Sequence, residues 1–234
     1  VYISTGCKMP EGADSVVPVE LVKVKGDFIE VRCNVRPYEN VIPTGADVRK
    51  GEKVLEAGHV LRAQDIKFLA DIKKWRVIVF KKPVVAILSI GSELTNKVEE
   101  ADQKKFDSQG LMVSILVEEA GGIPLNLGIA PDDITAINEL LRKGLKRADI
   151  IVTIGGASIG ERDYIWRAVT QLDTPKTAIR GIKVQPGKVT SLCVVADKPI
   201  VMLPGRAPHT LIGFHLLLLP LLRLMSGIRF SALH

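Results

Sequence analysis

Residues 150–154, Ile-Ile-Val-Thr-Ile, form an apolar, β-branched run that empties directly into Gly155-Gly156, and no other feature restricts the fold of this chain as tightly. A run of that composition reads as a strand buried on both faces. Gly160 follows, then Glu161 and Asp163 at the expected start of a helix. Glycines let a backbone approach a ligand closely, and the unpaired N–H groups of a helix start attract anions. Strand, glycine loop and helix at the carboxyl edge of an α/β sheet make a common cradle for phosphate. A tight turn between packed elements would use the same glycines, but Ser158, Glu161 and Asp163 are more polar equipment than a turn needs. The segment is read as a ligand site.

From Lys82-Pro83 onward, strand and helix signals alternate. Strands are expected at 84–89, 124–129, 150–154, 192–196 and 200–203, and helices at 108–119, 133–146, 163–171 and 209–225. That order predicts an α/β fold over 83–234: a three-layer α/β/α domain with a mostly parallel sheet. Ligands of such sheets lie outside the carboxyl ends of the strands. The loops gathered there are 91–94, 130–133, 155–163 and 204–206. Residues 52–82 read as a linker segment with a helix at 63–71 and a strand at 76–80. Residues 1–51 read as a β-rich accessory domain, present in part, with short strands at 1–3, 15–20, 21–25 and 28–32. Gly26-Asp27 between two alternating runs is a hairpin signal. The accessory stretch is too short for a robust sheet core of its own, and the chain opens on Val1 rather than methionine. It is expected to be part of a longer protein.

Composition narrows the function classes. The net charge of +6 favours an anionic partner, but the basic residues are dispersed and aromatics are only 5% of the chain, so a base-stacking nucleic-acid surface is poorly supported. Three cysteines without CxxC spacing argue against a zinc site or a disulfide framework and fit a reducing, cytoplasmic setting. The apolar run 216–222 is short for a bilayer and contains Pro220, so it reads as a core helix, and no membrane partner is expected.

The motifs carry a resemblance. Thr5-Gly-Cys-Lys-Met-Pro-Glu-Gly-Ala-Asp14, Arg36-Pro-x-Glu-Asn-Val-Ile-Pro-x-Gly-x-Asp47, Ser89-Ile-Gly-Ser-Glu-Leu94, Phe106-Asp-Ser108, Gly155-Gly-x-Ser-x-Gly-Glu-x-Asp-Tyr164, Gln185-Pro-Gly-Lys188 and Leu203-Pro-Gly205 occur in order. Together they resemble the MoeA-type molybdopterin molybdenumtransferase family, the molybdenum insertases, which includes the carboxyl-terminal domain of gephyrin. Each motif is short; seven in register are specific. The resemblance implies a homodimer whose cleft combines the α/β domain of one subunit with the accessory domain of the other. It implies hydrolysis of adenylylated molybdopterin, a phosphorylated pterin, with Mg2+, and insertion of molybdate. It further implies functional acids at Asp47, Glu93, Asp132 and Asp163. This chain departs from the family at Gln109, where asparagine is usual, at Gln185, where lysine is usual, and at Arg206-Ala-Pro208, where Asn-Pro is usual.

Phosphate and molybdate need donors and cations. Gly155, Gly156 and Gly160 are expected to offer backbone N–H groups, Ser158 a hydroxyl, and Lys188 and Arg206 charge, beside Pro204 and Gly205 of the last loop. Glu93 and Asp163 are the expected metal holders, since carboxylates that place Mg2+ against a pyrophosphate assist its cleavage. Two readings stay open for several residues. Asp132 fits catalysis or a helix cap, Asp163 fits a metal or a helix start, and Lys188 fits a ligand or a solvated turn. A side chain at Gly156 is expected to block the phosphate while leaving the fold intact. Two functions remain at this point: a molybdenum cofactor biosynthesis enzyme, or a non-catalytic molybdopterin-binding-like module used for ligand binding or scaffolding.

Overall fold

The computed structural model describes residues 1–156 and 163–228 of the 234. The chain divides into two units, Val1–Ala57 and Gly58–His234.

In the first unit, β1 (Val22–Lys25) and β2 (Phe28–Val31) form an antiparallel hairpin with Val22 opposite Val31 and Lys25 opposite Phe28. Gly26 has φ +59°, as the first central residue of a type II′ turn requires. The strands expected at 1–3 and 15–20 are not strands; Val19–Leu21 is a single 3-10 turn instead. Pro18 has no N–H to give a ladder, and no residue of 1–57 is buried, so alternation there has no core face to serve. Loop hydrogen bonds tie the segment together: Tyr38 N–H donates to the Asp14 carbonyl at 2.9 Å and Val16 N–H to the Glu39 carbonyl at 3.0 Å.

The second unit opens with α1 (Ala63–Asp71), as the sequence predicts. Asp65 stitches its start, accepting from the Arg62 N–H at 2.9 Å, His59 Nε2 at 2.8 Å and Arg62 Nε at 3.1 Å. The strand expected at 76–80 is absent, and Trp75, Ile78, Val79 and Phe80 are exposed. An apolar alternating run becomes a strand only beside a partner, and among the described residues none pairs with it.

The α/β domain follows in the order β3 (Val84–Ile90), β4 (Leu94–Thr95), β5 (Lys105–Phe106), α2 (Ser108–Glu119), β6 (Ile123–Ala130), α3 (Ile134–Arg147), β7 (Ile150–Ile154), α4 (Tyr164–Leu172), β8 (Thr177–Ile179), β9 (Ser191–Val195) and β10 (Lys198–Leu203). The helical stretch Ala207–Met225 closes it. Within that stretch, α5 (Ala207–Gly213) and α6 (Leu219–Met225) flank a π-helical turn over Phe214–Leu218, just ahead of Pro220, which has no N–H to continue the ladder. The six-stranded sheet runs β6-β3-β7-β10-β9-β8. Its first four strands are parallel; β9 and β8 add antiparallel at one edge. The short edge strand β8, three exposed residues, has no periodicity to betray it.

Pleating sorts the central strands into two cores. Ala86, Leu88 and Ile151 pack under Ile137 and Leu141 of α3 and Ile165 and Val169 of α4. Val85, Ile87, Ile150 and Val152 pack under Val113 and Val117 of α2 and Phe214, Leu218 and Leu222 of the last helix. That last helix is long and apolar enough to pass for a membrane span by composition. Its inner stripe instead covers the sheet. Each fully buried aliphatic side chain contributes about 1.5–3 kcal/mol by removal from water, and this double core fixes the strand ends that carry the cleft.

Candidate functional site

Parallel order places the carboxyl ends of β6, β3, β7 and β10 side by side. The loops that leave them meet the start of α2 around a cavity of about 230 Å³. Glu93 after β3, Asp132 after β6, Gly155 and Gly156 after β7 and Gly205 after β10 all line it. So do Lys105, Asp107 and Gln109, which the sequence reading did not assign to the site. Phe106-Asp-Ser108 was legible as a motif, but nothing local says that α2 starts over the sheet edge.

Glu93 is exposed, and its carboxylate has no hydrogen-bond partner among the described residues. It folds back over Gly91, occupying space 2.7 Å from where a Cβ on residue 91 would stand. Asp132 is not the cap of α3; Asp133 is, accepting from the Ala136 N–H at 2.8 Å. Asp132 bridges two loops instead: its carboxylate accepts from the Ser92 N–H at 3.2 Å, and its own N–H donates to Ser92 Oγ at 3.1 Å. This bridge sets the spacing of the loops after β3 and β6.

The glycine pair serves packing as well as access. Gly155 and Gly156 have φ +83° and +67°. A Cβ on Gly155 would lie 2.6 Å from the Ile90 carbonyl oxygen, and one on Gly156 would lie 2.8 Å from Ile90 Cγ2. The Gly155 N–H is donated to the Leu203 carbonyl at 3.0 Å, so it is spent on the sheet rather than offered to a ligand. The expectation that a side chain at Gly156 would spare the fold is therefore corrected: Ile90 occupies its space.

Asp163 does not line the cavity. It is 7% exposed and is the N-cap of α4, accepting from the Trp166 N–H at 3.2 Å through Oδ1. Its Oδ2 accepts from Arg180 Nη2 at 2.8 Å, and that guanidinium stacks 5.3 Å from the Trp166 ring centroid. Pro204 is buried, its carbonyl accepting from Thr210 Oγ1 at 2.5 Å. Arg206 is exposed and precedes α5; Lys188 is exposed in the turn at 185–189. Neither lines the cavity. Asp47 lies in the first unit, outside the α/β domain. Ser158 and Gly160 lie outside the described residues. Among the described residues no three His, Cys, Asp or Glu side chains converge as a metal cage.

Comparison with known proteins agrees with this fold. The profile of a probable molybdopterin binding domain matches residues 86–224, and that of the MoeA N-terminal region, domains I and II, matches residues 1–72. The molybdopterin molybdenumtransferase of Nostoc sp. is 30% identical over 97% of this chain and 52% of its own length; that of Bacillus subtilis is 29% identical over 95% and 53%. A crystal structure of a molybdopterin biosynthesis MoeA protein from Pyrococcus horikosii superposes with a TM-score of 0.79 at 31% identity, covering 97% of this chain and 56% of that one. Seven motifs, two family profiles and the superposed fold coincide, and the chain, which spans about half the length of the curated relatives it matches, belongs to the MoeA-type molybdopterin molybdenumtransferase family.

Proposed function

We propose that this chain acts in molybdenum cofactor biosynthesis as a molybdopterin molybdenumtransferase that hydrolyses adenylylated molybdopterin to AMP and molybdopterin and inserts molybdate at the dithiolene of the latter. The observation that carries the reading is the convergence of four motif loops, joined by the loop at 130–133, on one cavity at the carboxyl edge of the sheet. Among the described lining residues, three carboxylates (Glu93, Asp107 and Asp132) face one ammonium, that of Lys105. A pyrophosphate entering such a site needs a cation. Mg2+ is held by one or two carboxylates together with substrate oxygens, which fits Glu93 and Asp132 here. When bound, Mg2+ neutralises charge on the pyrophosphate and orients water.

Glu93 supplies the free carboxylate and Asp132 sets its loop. Asp163, the second metal holder expected from the sequence, reaches a cation only by giving up Arg180. Gly155 and Gly156 shape one loop against the ligand and Gly205, after Pro204, another, while Ser158 contributes a hydroxyl, Gly160 a backbone N–H, and Lys188 and Arg206 positive charge. Asp47 acts from the partner subunit of a homodimer. A first unit with no buried residue and with Val24, Phe28 and Ile29 exposed supports such a partner. The setting is cytoplasmic.

The test is release of AMP from adenylylated molybdopterin, dependent on Mg2+ and molybdate. Glu93→Gln is expected to lower turnover about a hundredfold, equivalent to ~2.7 kcal/mol of transition-state stabilisation. A second reading, a binding module without turnover, is favoured by the full engagement of Asp163. Tight molybdopterin binding with no AMP release would select it.

A further inference from the structure

Gln109 stands where α2 begins and lines the cavity beside Gly205. Its amide oxygen lies 3.3 Å from Thr210 Oγ1 across 101 residues of sequence. Thr210 is fully buried, and its hydroxyl also lies 2.5 Å from the Pro204 carbonyl and 3.0 Å from that of Arg206. A hydroxyl has one proton and two lone pairs. Three oxygens surround this one, and the shortest contact takes the proton. Turning the Gln109 amide end for end, so that its NH2 group donates to Thr210 Oγ1, relieves this conflict, the two ends being interchangeable in shape.

We infer that Thr210 orients the Gln109 amide so that its carbonyl oxygen is presented to the cavity as a hydrogen-bond acceptor for an N–H group of the ligand's heterocycle. Gln109 is thus a specificity-determining residue. The inference rests on the proposed pterin ligand and deepens it. The remaining lining agrees. Asp107, which caps α2 by accepting from the Gly110 N–H at 2.9 Å, adds acceptor oxygens at the same helix start as Gln109, which suits a ring edge rich in N–H donors. The volume of about 230 Å³ takes a part of a pterin nucleotide rather than the whole. Strand order separates the parts: Asp132 and Glu93 follow β6 and β3, whereas Gly205 follows β10, with β7 between. The charged linkage belongs at the first end and the ring edge at the second, beside Gln109.

The experiment titrates the full chain with two probes by calorimetry: pterin, and lumazine, which carries a carbonyl where pterin carries an amino group. The parent is expected to prefer pterin about tenfold, the share of one hydrogen bond worth ~1.4 kcal/mol. Gln109→Met should erase that preference while leaving lumazine affinity within about twofold. Gln109→Glu, which keeps an acceptor, should retain the preference. Thr210→Val, which frees the amide to present either end, should reduce the preference by weakening pterin and strengthening lumazine. A parent that prefers lumazine would mean the amide presents its NH2 group and would overturn the inference. So would unchanged discrimination in Gln109→Met. If neither probe binds but molybdopterin does, the ring edge lies elsewhere and the inference fails alone; if none of the three binds, the proposed function fails with it.

Discussion

Replacement of Asp163 separates fold from chemistry at the residue where the two were hardest to tell apart. The carboxylate caps α4 through one oxygen and pairs with Arg180 through the other, its side chain 9% exposed against 55% for the arginine. Asparagine caps a helix about as well as aspartate. Asp163→Asn therefore keeps the bond to the Trp166 N–H and loses the charge facing Arg180. With the arginine largely in solvent, that pair is worth about 0.5–1 kcal/mol. Asp163→Ala loses the cap as well, a further ~1 kcal/mol, for a total near 2. At roughly 2–4 °C per kcal/mol for a domain of this size, the melting temperature should fall by about 1–4 °C in the asparagine variant and about 4–8 °C in the alanine variant. Arg180→Met should cost about as much as Asp163→Asn, and the double variant should cost little more than either single one, because both remove the same pair. AMP release, measured on the same preparations, should track melting rather than collapse. Turnover lost in Asp163→Asn at an unchanged melting temperature would refute this account and return the carboxylate to the reacting centre. Additive losses in the double variant would deny the ion pair.

Gly156→Ala should destabilise the domain, the left-handed backbone alone costing about 1–2 kcal/mol; combined with Ile90→Ala, which removes the Cγ2 that would lie 2.8 Å from the new methyl group, it should cost less in thermal melts than the sum of the two single losses. Burial pushes the Cys193 thiol up to about 11 from an ordinary value of 9.0. The unfolded chain releases that proton first, so stability should decline as pH rises from about 9 to 11, and Cys193→Ala should flatten the decline. In the native protein a thiol reagent should label the exposed Cys7 and Cys33 and spare Cys193 until unfolding. The Arg62 guanidinium, followed by the His59 ring, holds the Asp65 carboxyl well below its usual 3.8. That contribution is present above 3.8 and is lost as pH falls below it, so acid unfolding of Asp65→Asn should begin less steeply than that of the parent in circular dichroism.

Much of the α/β domain was legible because its signals are local. The run 150–154 became β7 with the same bounds, and 108–119 became α2 unchanged. Proline and aspartate at 131–133 announced α3, whose cap is Asp133. The same logic misled at 76–80 and 15–20. Alternation there is as good as in β1, but a strand is completed by a neighbour, and β-propensity says nothing about whether one arrives.

The residues by themselves determined the period of each element, and with it the layers, the parallel core of the sheet and the edge at which ligand loops collect. Pattern and chirality suffice for that. Only the tertiary structure decided what each polar side chain is free to do. Asp163 is engaged by an arginine 17 residues away, Asp132 by a serine 40 away, and Gln109 by a threonine 101 away. Glu93, in the same sheet-edge ring of loops, is left open toward the cavity. These assignments follow from the strand order β6-β3-β7-β10, which brings distant loops within hydrogen-bond reach. A hydrogen bond is won at 3 Å in space, and separation along the chain carries no information about that distance once the sheet has been assembled.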